Sequence, residues 1–253
     1  TSVNVQAGNV ELINNSNLTQ MSAVLTAHTG AGTIVLDGDY DVTLTGTYDE
    51  SNITALNAIA ADTTGTLTAS INSLNATQAD TLATGAGDAI TIALEATGGV
   101  DSATTAELLS IDGKTSVNVG AGNVELIQGT IAQMTNVRAG AITLDGDYDF
   151  TQTGGAVDEN SIGALNTIAL ATTGTVTASF NNLTAAEADT LTTASDDSIS
   201  ITLEPSTTSA AILNSIDGKT DQAVQAQAIT SITGNLTEVH TTRTAPGITT
   251  DVD

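Results

Sequence analysis

The sequence predicts a β-solenoid, a right-handed coil of parallel strands with short helices on one side of the coils. The first observation is a repeat: Ser-Ile-Asp-Gly-Lys-Thr occurs unchanged at residues 110–115 and 215–220. The second is that short stretches of β-branched residues alternate with short amphipathic stretches. The third is that aromatic residues make up only 2% of the chain. We therefore expect a core of Ala, Val, Ile, Leu and Thr in narrow layers, as in repeat proteins.

The repeat divides the chain into two long copies and the start of a third. Copy one covers residues 1–114, copy two residues 115–219, and the truncated third copy residues 220–253. We expect the three to form one continuous stack, because no linker separates Lys114 from the strand predicted after it. The alternative is two compact domains joined at Lys114. The pattern also predicts that both ends of the chain are cut from a longer array.

Copy one is predicted to contain several strands, each followed by a helix. β-branched stretches predict strands at residues 2–5, 33–36, 42–44, 66–70 and 89–94. Apolar residues at helical spacing, such as Leu56 with Ile59 and Leu108 with Ile111, predict helices. Those helices cover residues 18–25, 52–60, 77–83 and 104–111. Their predicted N-caps are Asn17, Ser51, Asn75 and Ser102.

Copy two repeats the same order of elements. Its strands are predicted at residues 116–119, 141–144, 176–180 and 199–203, and its helices at 131–137, 161–169, 185–191 and 209–216. The Asp-Gly pairs at 112–113 and 217–218 predict turns or helix ends, because glycine tolerates positive φ.

The charge of the chain limits its partners. The sequence has 29 acidic and four basic residues, giving a formal net charge of −25. Nucleic-acid binding needs clustered basic residues, and Lys114, Arg138, Lys219 and Arg243 are scattered, so nucleic acid is excluded as a partner. No apolar run reaches the length that membrane insertion needs. Cysteine is absent, which removes disulfides and thiol chemistry.

The best candidate site is an acidic motif that recurs in each copy. It reads Asp37-Gly-Asp39-Tyr-Asp41 in copy one and Asp145-Gly-Asp147-Tyr-Asp149 in copy two, and it begins again at Asp251 and Asp253. Alternate residues of an extended segment face one side, so three carboxylates would form a row of oxygen ligands suited to Ca²⁺. The spacing resembles the opening of a calcium loop without its later Glu. The alternative is a polar Asp-Gly turn with solvated carboxylates.

No residue pattern indicates an enzyme. His28 and His240 lie outside any nucleophilic motif, and the chain lacks a phosphate-binding loop with Gly-Lys-Ser/Thr. Repeat-equivalent acids such as Glu11 and Glu125 would lie a whole repeat apart, too far to act together in glycoside hydrolysis. We therefore expect no catalytic residues and no cofactor other than Ca²⁺.

The segments Leu-Leu-Ser-Ile-Asp-Gly-Lys-Thr (108–115) and Leu-Asn-Ser-Ile-Asp-Gly-Lys-Thr (213–220) carry a resemblance. They resemble a recurring segment of giant, Thr/Ala/Asp-rich cell-surface proteins of marine unicellular cyanobacteria. The resemblance covers both full copies. It implies an extracellular or cell-surface location and a structural role in a surface layer, in adhesion or in a motility-associated appendage. It carries no catalytic residues across.

The sequence thus predicts a structural segment of a long extracellular repeat protein that forms a surface layer, filament or adhesin stalk. Calcium would stabilise it, and exposed strand edges would favour self-association into fibres or sheets. One alternative is a module that recognises surface glycans, another cell or ice through a flat face. A shaft of a phage or bacterial fibre is another.

Overall fold

The structure is a computed structural model that describes residues 4–30, 33–95 and 101–251. Residues 2 and 3 of the first predicted strand, and Asp253 of the third acidic motif, lie outside these ranges. Contacts divide the chain into two compact units. The first comprises Thr1–Val124 with Val137–Asp145, and the second comprises Glu125–Asn136 with Gly146–Asp253.

Helices recur along the described ranges at the places where apolar residues follow a helical period. They are α1 (Leu18–Thr29), α2 (Ile53–Asp62), α3 (Ala76–Ala79), α4 (Thr105–Asp112), α5 (Ile131–Ala139), α6 (Ile162–Ala169), α7 (Ala185–Ala188), α8 (Ala210–Asp217) and α9 (Leu236–Thr244). Short 3₁₀ segments, Glu50–Asn52 and Glu159–Ser161, lead into α2 and α6.

Strands alternate with these helices. In copy one they are β1 (Val5–Gln6), β2 (Leu12–Ser16), β3 (Ile34–Val35), β4 (Asp41–Tyr48), β5 (Leu67–Leu74), β6 (Ala89–Leu94) and β7 (Ser102–Thr104). In copy two they are β8 (Val119–Gly120), β9 (Leu126–Gly129), β10 (Ile142–Thr143), β11 (Asp149–Gln152), β12 (Val176–Leu183), β13 (Ser198–Leu203) and β14 (Thr207–Ser209). The third copy adds β15 (Val224–Gln225), β16 (Ser231–Thr233) and β17 (Ile248–Thr249).

Each unit contains a large parallel sheet and a two-stranded one. The large sheet of the first unit has the order β10-β8-β6-β5-β4-β2, and β1 pairs with β3. In the second unit the large sheet runs β17-β15-β13-β12-β11-β9, and β14 pairs with β16. The connections between neighbouring strands carry helices in most places, as parallel pairing requires a crossover.

The β-solenoid prediction is wrong. The described residues form an α/β fold, in which several parallel sheets are interleaved with helices. A β-solenoid would have one sheet with only short helices beside it, whereas the strands here belong to separate sheets and α1 is 12 residues long. The physical reason is that capped, apolar crossovers between parallel strands form α-helices and so build βαβ units.

The core of each unit lies between one face of its sheet and the apolar stripes of its helices. Strands β5 and β13 bury alternate residues, as expected when one face packs on a core. The helices bury residues three apart, including Leu56 with Ile59 and Leu108 with Ile111, which confirms the predicted stripes. The few aromatic residues are used here: Tyr40, Phe150 and Phe180 have fully buried side chains.

Several helices begin at a reciprocal capping box. The predicted caps Asn17 and Asn75 are confirmed, since each side chain accepts the backbone N–H three residues later. The predicted caps Ser51 and Ser102 are wrong: Asp49 caps the 3₁₀ segment before α2, and Thr104 caps α4. In both places the capping side chain belongs to a neighbouring residue of similar chemistry.

Candidate functional site

The predicted acidic motif of copy one lies between β3 and β4. Asp37 and Asp39 are exposed in the loop, and Asp41, also exposed, is the first residue of β4. The Asp41 carboxylate is not simply solvated. Its Oδ1 accepts the backbone N–H of Thr66, the residue before β5, at 2.7 Å.

Copy two places the same motif in the same way. Asp145 and Asp147 are exposed before β11, and Asp149 is its first residue. Asp149 Oδ1 accepts the backbone N–H of Thr175 at 2.7 Å, just before β12. The third aspartate of each motif therefore joins the start of one strand to the start of the next.

The motif does not form a preformed metal centre in the part of the chain that the structure describes. Within those residues, no three His, Cys, Asp or Glu side chains are grouped so that they could hold a metal ion. One oxygen of Asp41 and one of Asp149 are already bonded to the backbone. Calcium binding at Asp37, Asp39, Asp41, Asp145, Asp147 and Asp149 stays a prediction.

The tyrosine between these aspartates is buried and anchors the loop of copy one. The Tyr40 hydroxyl donates to Asp62 Oδ2 at 2.5 Å, and His28 Nε2 lies 3.9 Å from the same oxygen. Burial, together with the carboxylates of Asp62 and Asp37, raises the pKa of Tyr40 well above its ordinary value. The loop is also held at its backbone, because Thr63 Oγ1 donates to the Tyr40 carbonyl at 2.6 Å.

A second pair of aspartates, which sequence reasoning did not single out, makes the most complete set of contacts. Asp88 precedes β6, and its two carboxylate oxygens accept the N–H groups of Leu67 and Gly85, each at 2.8 Å. Its backbone carbonyl accepts the N–H of Ser116 at 2.7 Å. One residue thus joins three separate segments of the first unit.

The equivalent residue of copy two makes the same contacts. The oxygens of Asp197 accept the N–H groups of Val176 at 2.7 Å and Ala194 at 2.8 Å, and its carbonyl accepts the N–H of Asp221 at 2.8 Å. Asp197 is 5% exposed. The signal available in the sequence was an aspartate immediately before an equivalent strand in both copies.

The lysine of the repeated Ser-Ile-Asp-Gly-Lys-Thr segment is also bonded to the backbone. Lys114 Nζ donates to the Leu82 carbonyl at 2.8 Å and lies 3.5 Å from Asp80 Oδ1. Lys219 Nζ donates to the carbonyl of Asp189 and, at 3.0 Å, to its Oδ1. Each lysine therefore bonds a loop of its own unit.

The threonine after each lysine is buried and bonds both polar groups of one strand residue. Thr115 Oγ1 accepts the Ile90 N–H at 3.0 Å and donates to the Ile90 carbonyl at 2.7 Å. Thr220 Oγ1 makes the same pair of bonds to Ile199, at 2.9 and 2.8 Å. The threonine contacts therefore recur at equivalent positions in both copies. The two lysines bond carbonyls at different positions of the same loop.

Asparagines on two equivalent helices bind loops in the same manner. Asn57 of α2 donates to the Thr81 carbonyl at 3.0 Å and accepts the Ala83 N–H at 2.7 Å. Asn166 of α6 repeats the pattern with the Thr190 carbonyl and the Thr192 N–H, each at 2.9 Å. We call these Asp, Lys, Thr and Asn contacts the backbone brackets. The bracket residues are Asp41, Asn57, Asp88, Lys114, Thr115, Asp149, Asn166, Asp197, Lys219 and Thr220.

The second unit also has an open cavity of about 370 Å³ on its large sheet. Polar, uncharged side chains dominate its lining: Gln152, Thr177, Ser179, Ser198, Ser200 and Gln222. The two amides are already engaged, because Gln152 Oε1 accepts the Ser179 N–H at 3.0 Å and Gln222 Nε2 donates to Ser198 Oγ at 2.9 Å. Such a surface has the chemistry to exchange hydrogen bonds with a neutral polyol.

Comparison with protein-family models, with curated proteins and with solved structures found no match to this chain. Across the described ranges, no helix combines the length and the apolar character that crossing a bilayer requires.

Proposed function

We propose that this chain is a structural segment of a long extracellular repeat protein that forms a cell-surface layer, filament or adhesin stalk. The observation that carries the proposal is the set of backbone brackets. Polar side chains that recur between the copies are bonded to the backbone of their own unit, often to two groups at once. A binding or catalytic site needs such groups directed at a ligand, whereas a structural segment needs them to fix its own loops.

The surface chemistry supports the same role. A net charge of −25 keeps a repeated chain soluble and favours conditions in which cations screen its carboxylates. The extracellular location follows from the resemblance of the Ser-Ile-Asp-Gly-Lys-Thr segments to those of cell-surface proteins. We propose self-association into fibres or sheets as the form in which the segment acts.

The direct test is to raise the concentration of the purified chain and follow its size by light scattering, with negative-stain electron microscopy of the same samples. The proposal expects ordered filaments or sheets to appear as concentration and salt increase, since salt screens the acidic surfaces. A chain that stays monomeric throughout, with and without calcium, would contradict it.

The cavity of the second unit favours a binding module for neutral glycans as a second candidate function. Its hydroxyl and amide lining could bind sugar hydroxyls, although the aromatic platform common at sugar sites is not among its lining residues. Calorimetry with neutral oligosaccharides tests this function. Binding that disappears in Gln152→Ala with Gln222→Ala, and persists in Gln227→Ala, would support the glycan role over the purely structural one.

A further inference from the structure

The first copy exposes apolar residues that the later copies bury. Val5 is 60% exposed, whereas its equivalents Val119 and Val224 are 0% exposed. The same difference holds further along this segment. Ala7 and Val10 are partly exposed, and their equivalents Ala121, Ala226, Val124 and Ile229 are at most 2% exposed. These positions are thus apolar in all three copies, but in the first copy they are not buried by a neighbouring strand.

The cover in the later copies is a strand from the end of the preceding copy. In the first unit, Gly120 of β8 pairs in parallel with Ala93 of β6. In the second unit, Gln225 of β15 pairs in the same way with Thr202 of β13. Gln6 of β1 is the equivalent of Gly120 and Gln225. Among the described residues, β1 pairs only with β3.

The edge of β1 opposite β3 is unpaired among the described residues. The N–H groups of Val5 and Ala7 donate to the carbonyls of Thr33 and Val35, each at 2.8 Å. Because alternate residues of a strand direct their backbone groups to opposite sides, Gln6 directs its own away from β3. The equivalents of Val5 lie in β8 and β15, and the equivalents of Ala7 directly follow these strands. They make the same bonds, to β10 and β17 and to the residues just before those strands.

A side chain in the same segment shows the same unused capacity. Asn123 of copy two donates through Nδ2 to the carbonyl of Leu94, the last residue of β6, at 3.2 Å. Asn9 occupies the equivalent position in copy one, and it is exposed. A strand end resembling Leu94 would therefore find both a backbone edge and an amide donor at this surface.

We propose that this edge, formed by Val5, Gln6, Ala7, Asn9 and Val10, is a docking site for the closing segment of another repeat of the same type. That segment corresponds to residues 198–217, which contain β13, β14 and α8. It would pair with β1 in parallel, with the residue equivalent to Thr202 opposite Gln6, as Thr202 pairs with Gln225 in the second unit. Strand addition at a sheet edge supplies the backbone bonds, and Val5 and Val10 supply the apolar contact. The choice of another repeat as the partner depends on the proposed structural role, in which repeats associate with each other.

The test uses the full chain and a synthetic peptide of residues 194–219 as the probe. We expect saturable binding by calorimetry and slowed hydrogen exchange at the Gln6 amide in the complex. Val5→Lys should lower the affinity about tenfold or more, since a valine side chain loses its burial. Asn9→Ala should lower it by a smaller factor. Leu170→Lys is the matched control, because Leu170 is also exposed, at 89%, but lies on α6's C-terminal side.

Three results would overturn the proposal: no binding of the peptide, equal binding by Val5→Lys and the unaltered chain, or equal binding of a peptide with the same composition in scrambled order. Filament formation by the unaltered chain without peptide binding would leave the structural role standing and overturn the docking site alone. Peptide binding by a chain that never assembles would support the docking site and contradict self-association.

Discussion

At the scale of single residues, the polar side chains that recur between copies act on the backbone. Asp88 and Asp197 each accept two N–H groups, and Thr115 and Thr220 each bond both polar groups of one residue. The sequence could show that such residues recur, but not what they bind, because Asp41 and its partner Thr66 are 25 residues apart. For the same reason, calcium binding by the acidic motif stays a prediction.

The Asp189 carboxylate gives a prediction about acid stability. Hydrogen bonds from Ser215 and Lys219, together with the charge of Lys219, hold the pKa of Asp189 below its ordinary value. A carboxyl with a lowered pKa in the folded state contributes stability above its unfolded pKa, near 4, and that contribution is lost as pH falls through the folded pKa. Asp189→Asn should therefore lower the melting temperature at pH 7. At acid pH the difference in melting temperature between this variant and the unaltered chain should become smaller.

The control for this prediction is Asp39→Asn, which removes the same charge from an exposed loop residue. In calcium-free buffer we expect it to leave the melting temperature at pH 7 unchanged or slightly higher, since it relieves repulsion in an acidic chain. If both variants change the pH dependence of the melting temperature equally, the contacts of Asp189 do not contribute specifically to stability.

At the scale of elements, much was predictable. The strand at residues 89–94 coincides with β6, and helices were expected at the eight places where the described residues of the two copies form them. These elements have strong local signals, namely apolar periodicity and caps. The short strands β2, β7, β9, β11 and β14 were missed because three to five residues carry little periodicity, and their pairing with distant segments decides them. The fold class failed for a related reason, since the assignment of strands to sheets is not local.

Two glycines show how closely neighbouring loops approach each other. A Cβ on Gly65 would lie 2.4 Å from the Tyr40 carbonyl oxygen, and one on Gly174 would lie 2.4 Å from that of Tyr148. Because the obstacle is backbone, Gly65→Ala should destabilise the first unit by about 1–3 kcal/mol or more. Chemical denaturation measures the change.

Gly163 provides the matched substitution. It lies inside α6, and a Cβ there would meet nothing within 4 Å. Gly163→Ala should stabilise the second unit by about 0.5–1 kcal/mol, because alanine loses less conformational freedom in a helix. Equal effects of the two substitutions would show that the close approach at Gly65 does not constrain the fold.

At the scale of the whole molecule, the net charge of −25 predicts a strong dependence on cations. Self-repulsion should make the melting temperature rise with NaCl, as screening increases. The calcium prediction expects a further rise of several degrees in CaCl₂ at matched ionic strength, and its loss in Asp37→Asn with Asp39→Asn. Identical curves in the two salts would contradict bound calcium and leave the aspartates as a solubilising surface.

The most direct test of the account is the melting temperature of three variants that each remove one negative charge. In Asp88→Asn and Asp197→Asn an NH2 group, which cannot accept a hydrogen bond, replaces one of the two carboxylate oxygens that accept backbone N–H groups. The exposed Asp196 makes no such bond among the described residues. Each bracket variant should lose about 1–3 kcal/mol, or roughly 2–10 °C in melting temperature, and Asp196→Asn should lose nothing. Indistinguishable melting temperatures for Asp197→Asn and Asp196→Asn would contradict the account.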